Sequence, residues 1–508
     1  MTRVLVSVLL SGLLLSGCGG GGDGASQTTT TPQPQLQVQS VAEGVTQFIR
    51  IASLQVQGAS ALSSAQFEIA PRAGSKSRSV LVQYDRSYLL RRGWYDEASH
   101  MLRLPLFGLY AGRDNQVQLT ARFADGSQAT TALTVTTPAY VDAKGVYDHL
   151  TVHTPRSGDV LAYDFVMLKP MLGAPVVLDT DGELRWMGQP PVSTLSSQAS
   201  IFTGSDFLVG SNTDATLYRL YLDGGYDQAT VQDSSINNFH HDILPGKTGY
   251  LVELDTQSGG VQNIESVLEE VDGSGQVLKR WDLAQILRDT IRAGGEDPAP
   301  FIRDGVDWFH MNSAIYDARD DSVIVSSREN FVLKLDYATG TVKWILGDTS
   351  KYWYTQFASL RALTLALNDA PPVGQHALSI TPYGDLMMFD NGKASLNNPY
   401  GTSAGINNTV SAAISYNINT QTRSAYLTSR FIHPEQLYSP FCSSTYLDAS
   451  GGQLIGYAVA TDAQGVTTMR LVGRLANGVI AFDYGFPTAG CATGWNARAI
   501  NLHGMMLQ

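Results

Sequence analysis

The chain has 508 residues, room for two domains and a sizeable core, with 43% hydrophobic residues and 23 Tyr, 17 Phe and 7 Trp. Charged residues make up only 16% against 49 glycines, a balance that suits a turn-rich all-β protein and excludes a mainly helical one. The formal charge of −12, with no basic run, argues against nucleic acid as a partner and requires local positive groups wherever an anionic substrate binds.

In chain order, Thr2-Arg3 and the apolar run Val4–Leu15 read as an export signal too short to span a bilayer. Leu15-Ser16-Gly17-Cys18 looks like a bacterial lipobox, so residues 1–18 are expected to be a lipoprotein signal ending at a lipidated Cys18; the alternative is an ordinary signal with a chance Cys. Residues 19–37 are Gly-, Thr- and Pro-rich and read as a flexible tether. Gly19 in place of an acidic residue after Cys18 favours the outer membrane, so the expected location is periplasmic and lipid-anchored.

Residues 38–138 alternate apolar and polar positions in short runs (LQVQSV, FIRIASLQVQG, QFEIAPR, SVLVQYD, MLRLPLFGLY, NQVQLTARFAD, TALTVTT). Roughly seven strands in this length predict a small immunoglobulin-like β-sandwich that lacks the Cys pair of antibody domains. Pro138 and the segment after it mark the crossing into a second domain, residues 139–508.

That domain repeats. LDTDGELRW, VDGSGQVLKRW and LDYATGTVKW are each two strands around a Gly turn, closing on Trp186, Trp281 and Trp344. A second series starts at His240, His310, Gln375 and Ser443; the steps His241 to His310, His310 to His376 and His376 to Ser443 are 69, 66 and 67 residues. The stretch Asp307–Gly347 holds about four strands without a helix, the size of one propeller blade. A period of about 67 residues predicts a six-bladed β-propeller with long loops. Trp281–Gly295, apolar at helical spacing, is expected to be a helix inserted in a loop.

Equivalent positions in successive blades converge on one channel, so His241, His310 and His376 with Arg328 predict a cationic, hydrogen-bonding well suited to a small oxyanion. A metal is a rival, since three His suit zinc, but no His-x-His or HExxH spacing is present and Arg328 opposes a dication. A quinone-dependent dehydrogenase is another, because the DxxTGxxxW pattern is shared with quinone-cofactor propellers, although those have more blades. Only Cys442 and Cys491 remain after Cys18; in an oxidising compartment they are able to form one disulfide, and the sequence leaves open whether they do.

The motifs FHHDI, DWFHMNSAIYD, DDSVIVSSREN, LDYATGTVKWILG and GQHALSITPYGDLMMFDNG, in this order, resemble those of the bacterial aryl-sulfate sulfotransferases, which work without a nucleotide sulfate donor. The resemblance covers roughly residues 140–508, extends to the leading sandwich, and is most specific at His310 with Arg328 eighteen residues later. It implies a six-bladed propeller and a ping-pong transfer from a phenolic sulfate ester to a phenol. His376 is then the nucleophile that becomes a sulfohistidine, Arg328 and His310 hold the sulfate oxygens, and His241 shuttles the proton. Asn312, two residues past His310 and so on the same strand face, is expected to donate to a sulfate oxygen, and Ser443 to line the channel one blade after His376. Of the adjacent pair, His241 is preferred to His240 for the channel. The family's disulfide need not transfer to Cys442 and Cys491. No nucleotide, cofactor or metal is expected. The expected partners are a small phenolic sulfate donor and a phenol acceptor, the membrane through the lipid anchor, and, as an option the sequence leaves open, a second copy in a homodimer. Loops such as Tyr352–Pro372 are expected to shape the acceptor pocket. The alternative to an enzyme is a non-catalytic propeller that binds an anionic ligand.

Overall fold

The structure, a computed structural model, describes residues 33–508 except 59, 159 and 160; the signal, Cys18 and most of the tether lie outside them. The described residues are all-β, with four short helices. Gln35–Gln37, assigned to the tether from composition, already belong to the first strand, Gln35–Glu43.

The N-terminal strands form two sheets around one core. In the first, Gln35–Glu43, Ile49–Gln57, Met101–Phe107 and Tyr95–Asp96 lie side by side, all antiparallel. In the second, Val80–Asp85, Leu62–Ile69, Asp114–Phe123 and Gln128–Thr136 do the same. Alternation decides which face is inward: Ala52, Leu54 and Val56 from one sheet and Ala65, Phe67 and Ile69 from the other are buried together. The two-residue strand Tyr95–Asp96 and the helix Arg86–Arg91, whose first turn is capped by Asp85 accepting from the Ser87 N–H at 2.8 Å, carry no signal in the runs read above.

The rest forms six sheets in succession, antiparallel apart from the two-residue edge strand Ala366–Leu367, which runs parallel to Ser424–Phe431. Each of the four from Ser200 to Phe431 is built on a four-strand sequential meander, the pattern expected of a repeated unit, and the stretch 311–347 gives one such sheet. The two flanking sheets are completed from afar. Ala497–Ile500 pairs with Phe165–Leu168, and Thr151–Thr154, which carries His153, pairs with Ile480–Pro487. Central strands such as Phe165–Leu168, Ser322–Ser327 and Leu386–Asp390 are buried throughout, so they read as near-continuous apolar or small runs.

Two of the three repeated Trp act as staples between sheets, while Trp344 is buried with its Nε1 unpartnered among the described residues. Trp186 Nε1 donates to the Leu222 carbonyl at 3.0 Å, and Trp281 Nε1 to the Tyr337 carbonyl at 3.3 Å. Each acceptor follows the third strand of the next sheet, so an indole on one fourth strand fills the gap to its neighbour and keeps its N–H satisfied. The helix foreseen over 281–295 is Leu283–Ala293; Leu283, Ala284, Leu287 and Ile291 are buried and Asp282 caps it.

The C-terminus departs from the expected boundary. His503–Leu507 runs parallel to Val80–Asp85 and buries Met505 and Leu507 in the N-terminal core, so the second domain does not extend to residue 508. Five residues with two inward positions carry no sequence sign of which sheet they will join.

Candidate active site

The first strands of successive sheets lie against one another: Ile236–Pro245 on Met311–Asp317, that strand on His376–Ile380, and the last on Ser444–Leu447. In the first three of these strands the pairing with the second strand slips. The slips fall between His240 and Ile243, Met311 and Ser313, and His376 and Ser379. His241 and Ala377 sit within these slips, and His310 and Ser443 directly before their strands, at φ of 50, 57, 52 and 79°, the left-handed region that side chains other than Gly seldom adopt. Such bulges re-aim a side chain out of the ladder, and here three imidazoles turn toward one point.

His241 and His310 have ring centroids 4.9 Å apart, and His241 and His376 6.1 Å. One nitrogen from each of the three lies within 4.8 Å of the others. Arg328 joins them because its N–H donates to the His310 carbonyl at 3.0 Å, making the two residues partners across a hairpin. All four line a cavity of about 620 Å³, walled otherwise by Asp307, Met171, Leu396, Phe441, Trp495 and the disulfide between Cys442 and Cys491. Trp495 stands 5.0 Å from the His241 ring, and the Arg328 guanidinium 5.3 Å from that of Phe441.

Hydrogen bonds fix the protonation of each ring. The Asn391 amide nitrogen donates to the carbonyls of Ser439 at 2.7 Å and Cys442 at 3.0 Å. Its oxygen must therefore accept from His376 Nδ1, 2.7 Å away, which leaves His376 Nε2 with a lone pair. Burial first, then the neighbouring His241 and the Arg328 and His310 cations, hold this imidazole well below the usual His range, so it is neutral at pH 7. His241 Nε2 faces Glu265 at 3.1 Å, and burial also lowers its pKa, leaving Nδ1 as the free acceptor. His310 is the opposite case. Burial works against its charge, but Nδ1 faces Glu265 at 2.9 Å and Asp307 at 2.6 Å, and the ring is pushed up to about 10. Glu265, despite burial, is held well below the usual carboxylate range, chiefly by the His310 imidazolium. The site thus offers two neutral imidazoles, one imidazolium and one guanidinium whose Nη2 is buried without a partner among the described residues.

Arg328 Nη1 pairs with Glu329, whose other oxygen accepts from the N–H groups of Leu396 at 2.7 Å and Asn397 at 2.8 Å. One carboxylate therefore fixes both the guanidinium and the loop at the cavity rim.

Two expected site residues are elsewhere. Asn312 gives its amide N–H to the Gln375 carbonyl at 2.7 Å and does not line the cavity; the bulge between Met311 and Ser313 breaks the period-2 alternation that put it beside His310. It steadies the backbone just before His376. Ser443 is buried with its hydroxyl on Ser439 at 2.9 Å and accepting from the Ala458 N–H at 3.1 Å, so Cys442 reaches the cavity instead. His240 lies behind His241, ring centroids 5.1 Å apart, outside the lining. The loop at Tyr352–Pro372 is also absent from the lining: Trp353, Phe357 and Leu360 are packed in a core. Glu265, on the third strand of its sheet, and Trp495, in the loop before Ala497–Ile500, were invisible in the sequence because neither falls in the first-strand series that carries the histidines. Asn391 stood in the MMFDNG motif, where a polar residue at a strand end was the only signal.

His241, His310 and His376 are close enough to share a metal ion, as are His240, His241 and Glu265, and Glu265, Asp307 and His310. His310 would first have to lose its proton, and the Arg328 cation lines the same cavity, so the donor set fits an anion better than a dication.

The profile of the Arylsulfotransferase (ASST) family matches residues 138–483. The arylsulfate sulfotransferase AssT of Escherichia coli O6:H1 is 32% identical over 215 residues, 34% of this chain and 35% of that protein. AssT of Lelliottia amnigena is 26% identical over 284 residues, 42% and 46% of the two chains. The chain therefore spans between a third and a half of the length of these relatives. Among solved structures, the Cps50 (Swd1) β-propeller domain of Myceliophteria thermophila matches with a TM-score of 0.35 at 11% identity, covering 67% of this chain and 100% of that one.

Proposed function

The chain belongs to the arylsulfotransferase family, and from that premise we propose that it moves a sulfuryl group from a phenolic sulfate ester to a phenol in two half-reactions through His376. The observation that carries this reading is the Asn391 clamp, which leaves His376 Nε2 with its lone pair in a cavity that also holds the Arg328 and His310 cations. In the first half-reaction Nε2 attacks sulfur, the N–S bond forms and the S–O bond breaks; the electron pair leaves with the phenolate, which takes a proton from solvent. Arg328 and the His310 imidazolium meet the oxygens on which charge builds. The Asn391 oxygen, on Nδ1–H, steadies the positive charge the sulfated ring acquires. In the second half-reaction the acceptor phenol gives its proton to His241 Nδ1, its oxygen attacks sulfur, and the pair of the breaking S–N bond returns to His376.

The scaffold is read as a six-bladed β-propeller behind an immunoglobulin-like sandwich, supported by the six consecutive sheets and the two N-terminal ones. Lipid anchoring at Cys18, and with it a periplasmic site at the outer membrane, rests on the LSGC sequence and the apolar run before it.

The test is 4-nitrophenyl sulfate with and without phenol. Nitrophenol release that depends on the acceptor, an adduct of about 80 Da on His376 in donor-treated protein, and loss of both in His376→Ala support the proposal. Full activity in His376→Ala sinks it, and sulfate-ester binding without turnover leaves a binding protein.

A further inference from the structure

A second hollow of about 600 Å³ adjoins the active cavity. Met171 and Ala489 line both, and one loop serves both: Gly490 and Cys491 face the first, Ala492 and Thr493 the second. The common wall is fixed by the Met171 N–H donating to the Ala492 carbonyl at 3.1 Å. Leu172, Val146, Pro170, Pro487 and Tyr147 supply the remaining apolar surface. The Tyr147 ring is held in place by its hydroxyl donating to the Thr493 carbonyl at 2.7 Å. Leu172 is 58% exposed and Met171 36% exposed, so apolar surface lies open between the two hollows. Lys144 is the one charged side chain lining the second hollow, and its Nζ is spent on the Leu172 carbonyl.

The active cavity alone is of the size that takes a drug-sized ligand, well beyond a single phenol with its sulfate. Its polarity is also one-sided. The imidazoles and Arg328 fix where the sulfuryl group sits, and Phe441 and Trp495 flank the ring next to it. An apolar substituent para to the reacting oxygen then meets the apolar surface of Leu396, Pro440 and Val459 within the cavity and, beyond it, the continuation past Met171 and Ala489.

Resting on the sulfuryl-transfer reading, we propose that this second hollow is the subsite for the distal ring of a two-ring phenol, so that the substrates are extended diaryl phenols and their sulfate esters. Burial of the additional ring strengthens binding without changing the chemistry at sulfur.

The test compares phenol with 4-phenylphenol by calorimetry on the full chain. The two-ring ligand is expected to bind about tenfold or more tighter to the unmodified protein. Ala492→Trp fills the second hollow and brings that ratio near one. Leu172→Asp, at a largely exposed position that folding tolerates, lowers it as well and carries the test if the Trp variant does not fold. A ratio near one in the unmodified protein, or a ratio that survives in the folded variants, overturns the subsite. Nitrophenol release with phenol as acceptor reads the sulfuryl-transfer proposal separately: its absence beside an intact binding ratio overturns the chemistry and leaves the subsite standing.

Discussion

At the scale of single residues, the site works by giving each imidazole a different proton inventory. Asn391→Ala removes the acceptor that holds the His376 tautomer and is expected to lower kcat by about 10- to 100-fold, with KM for the donor changed less. The split is read from steady-state kinetics with 4-nitrophenyl sulfate; an unchanged kcat would mean the Gly374 carbonyl, 3.1 Å from Nδ1, is orientation enough. The pH profile follows from the same inventory. His376, held far below its ordinary value, and His241, lowered by burial, both stay neutral as the pH falls through the usual His range, so the acid limb lies below 6.5 and is set by whichever of the two protonates first. His310 keeps its proton until about pH 10, which sets the alkaline limb. Glu265→Gln removes a charge that raises His310, and the alkaline limb is expected to move to lower pH while the acid limb stays on the low side. An alkaline limb that does not move would leave Asp307 as the group that holds the His310 proton.

At the scale of elements, the recurring bulge on first strands is what turns a repeat into a site. Each left-handed residue costs on the order of 1–2 kcal/mol, and the cost falls on His241 and His310, the side chains that must leave the strand face. The disulfide adds a link from outside the repeat. Cys442 offers its carbonyl to Asn391, and Asn391 orients His376, so the segment that Cys491 tethers reaches the nucleophile through one amide. Cys491→Ser opens a link across a sequence separation of 49 residues and is expected to cost up to about 4 kcal/mol. It should lower the melting temperature and kcat together, and reduction of the unmodified protein should do the same. A variant that melts earlier yet keeps full kcat below its transition would separate the disulfide from the nucleophile.

At the scale of the whole molecule, the N-terminal sheets and the first two sheets of the repeat share one core. Phe165, Met167, Trp186 and Phe207 pack in the same cluster as Leu54, Phe67 and Leu119, and Trp186 stacks on Phe207 with centroids 4.8 Å apart. The C-terminal strand closes this arrangement from the other end. Deleting residues 501–508 takes Leu502, Met505 and Leu507 out of that core and is expected to cost roughly 5 kcal/mol or more. Urea unfolding of the intact chain should show one cooperative transition, shifted to lower urea in the truncated form. Two transitions in the intact chain would mean that the shared cluster does not couple the units.

The sequence by itself determined the all-β character, the strands of Asp307–Gly347, the inserted helix and the spacing of His241, His310 and His376. All of these follow from local alternation, turn chemistry and a repeat length, which are properties of neighbouring residues. It brought His241, His310 and His376 to one cavity because a repeat carries equivalent positions to equivalent places. It misplaced Asn312 because a bulge changes which face a side chain takes without altering composition, and Ser443 because a hydroxyl at the right period can be consumed by its own loop. Glu265, Trp495 and the C-terminal strand lie outside the first-strand series, so only the tertiary structure decided their partners. Protonation was decided there too, since the charge on an imidazole depends on which carboxylates and cations reach it through space, and those are set by the packing of strands far apart in the chain.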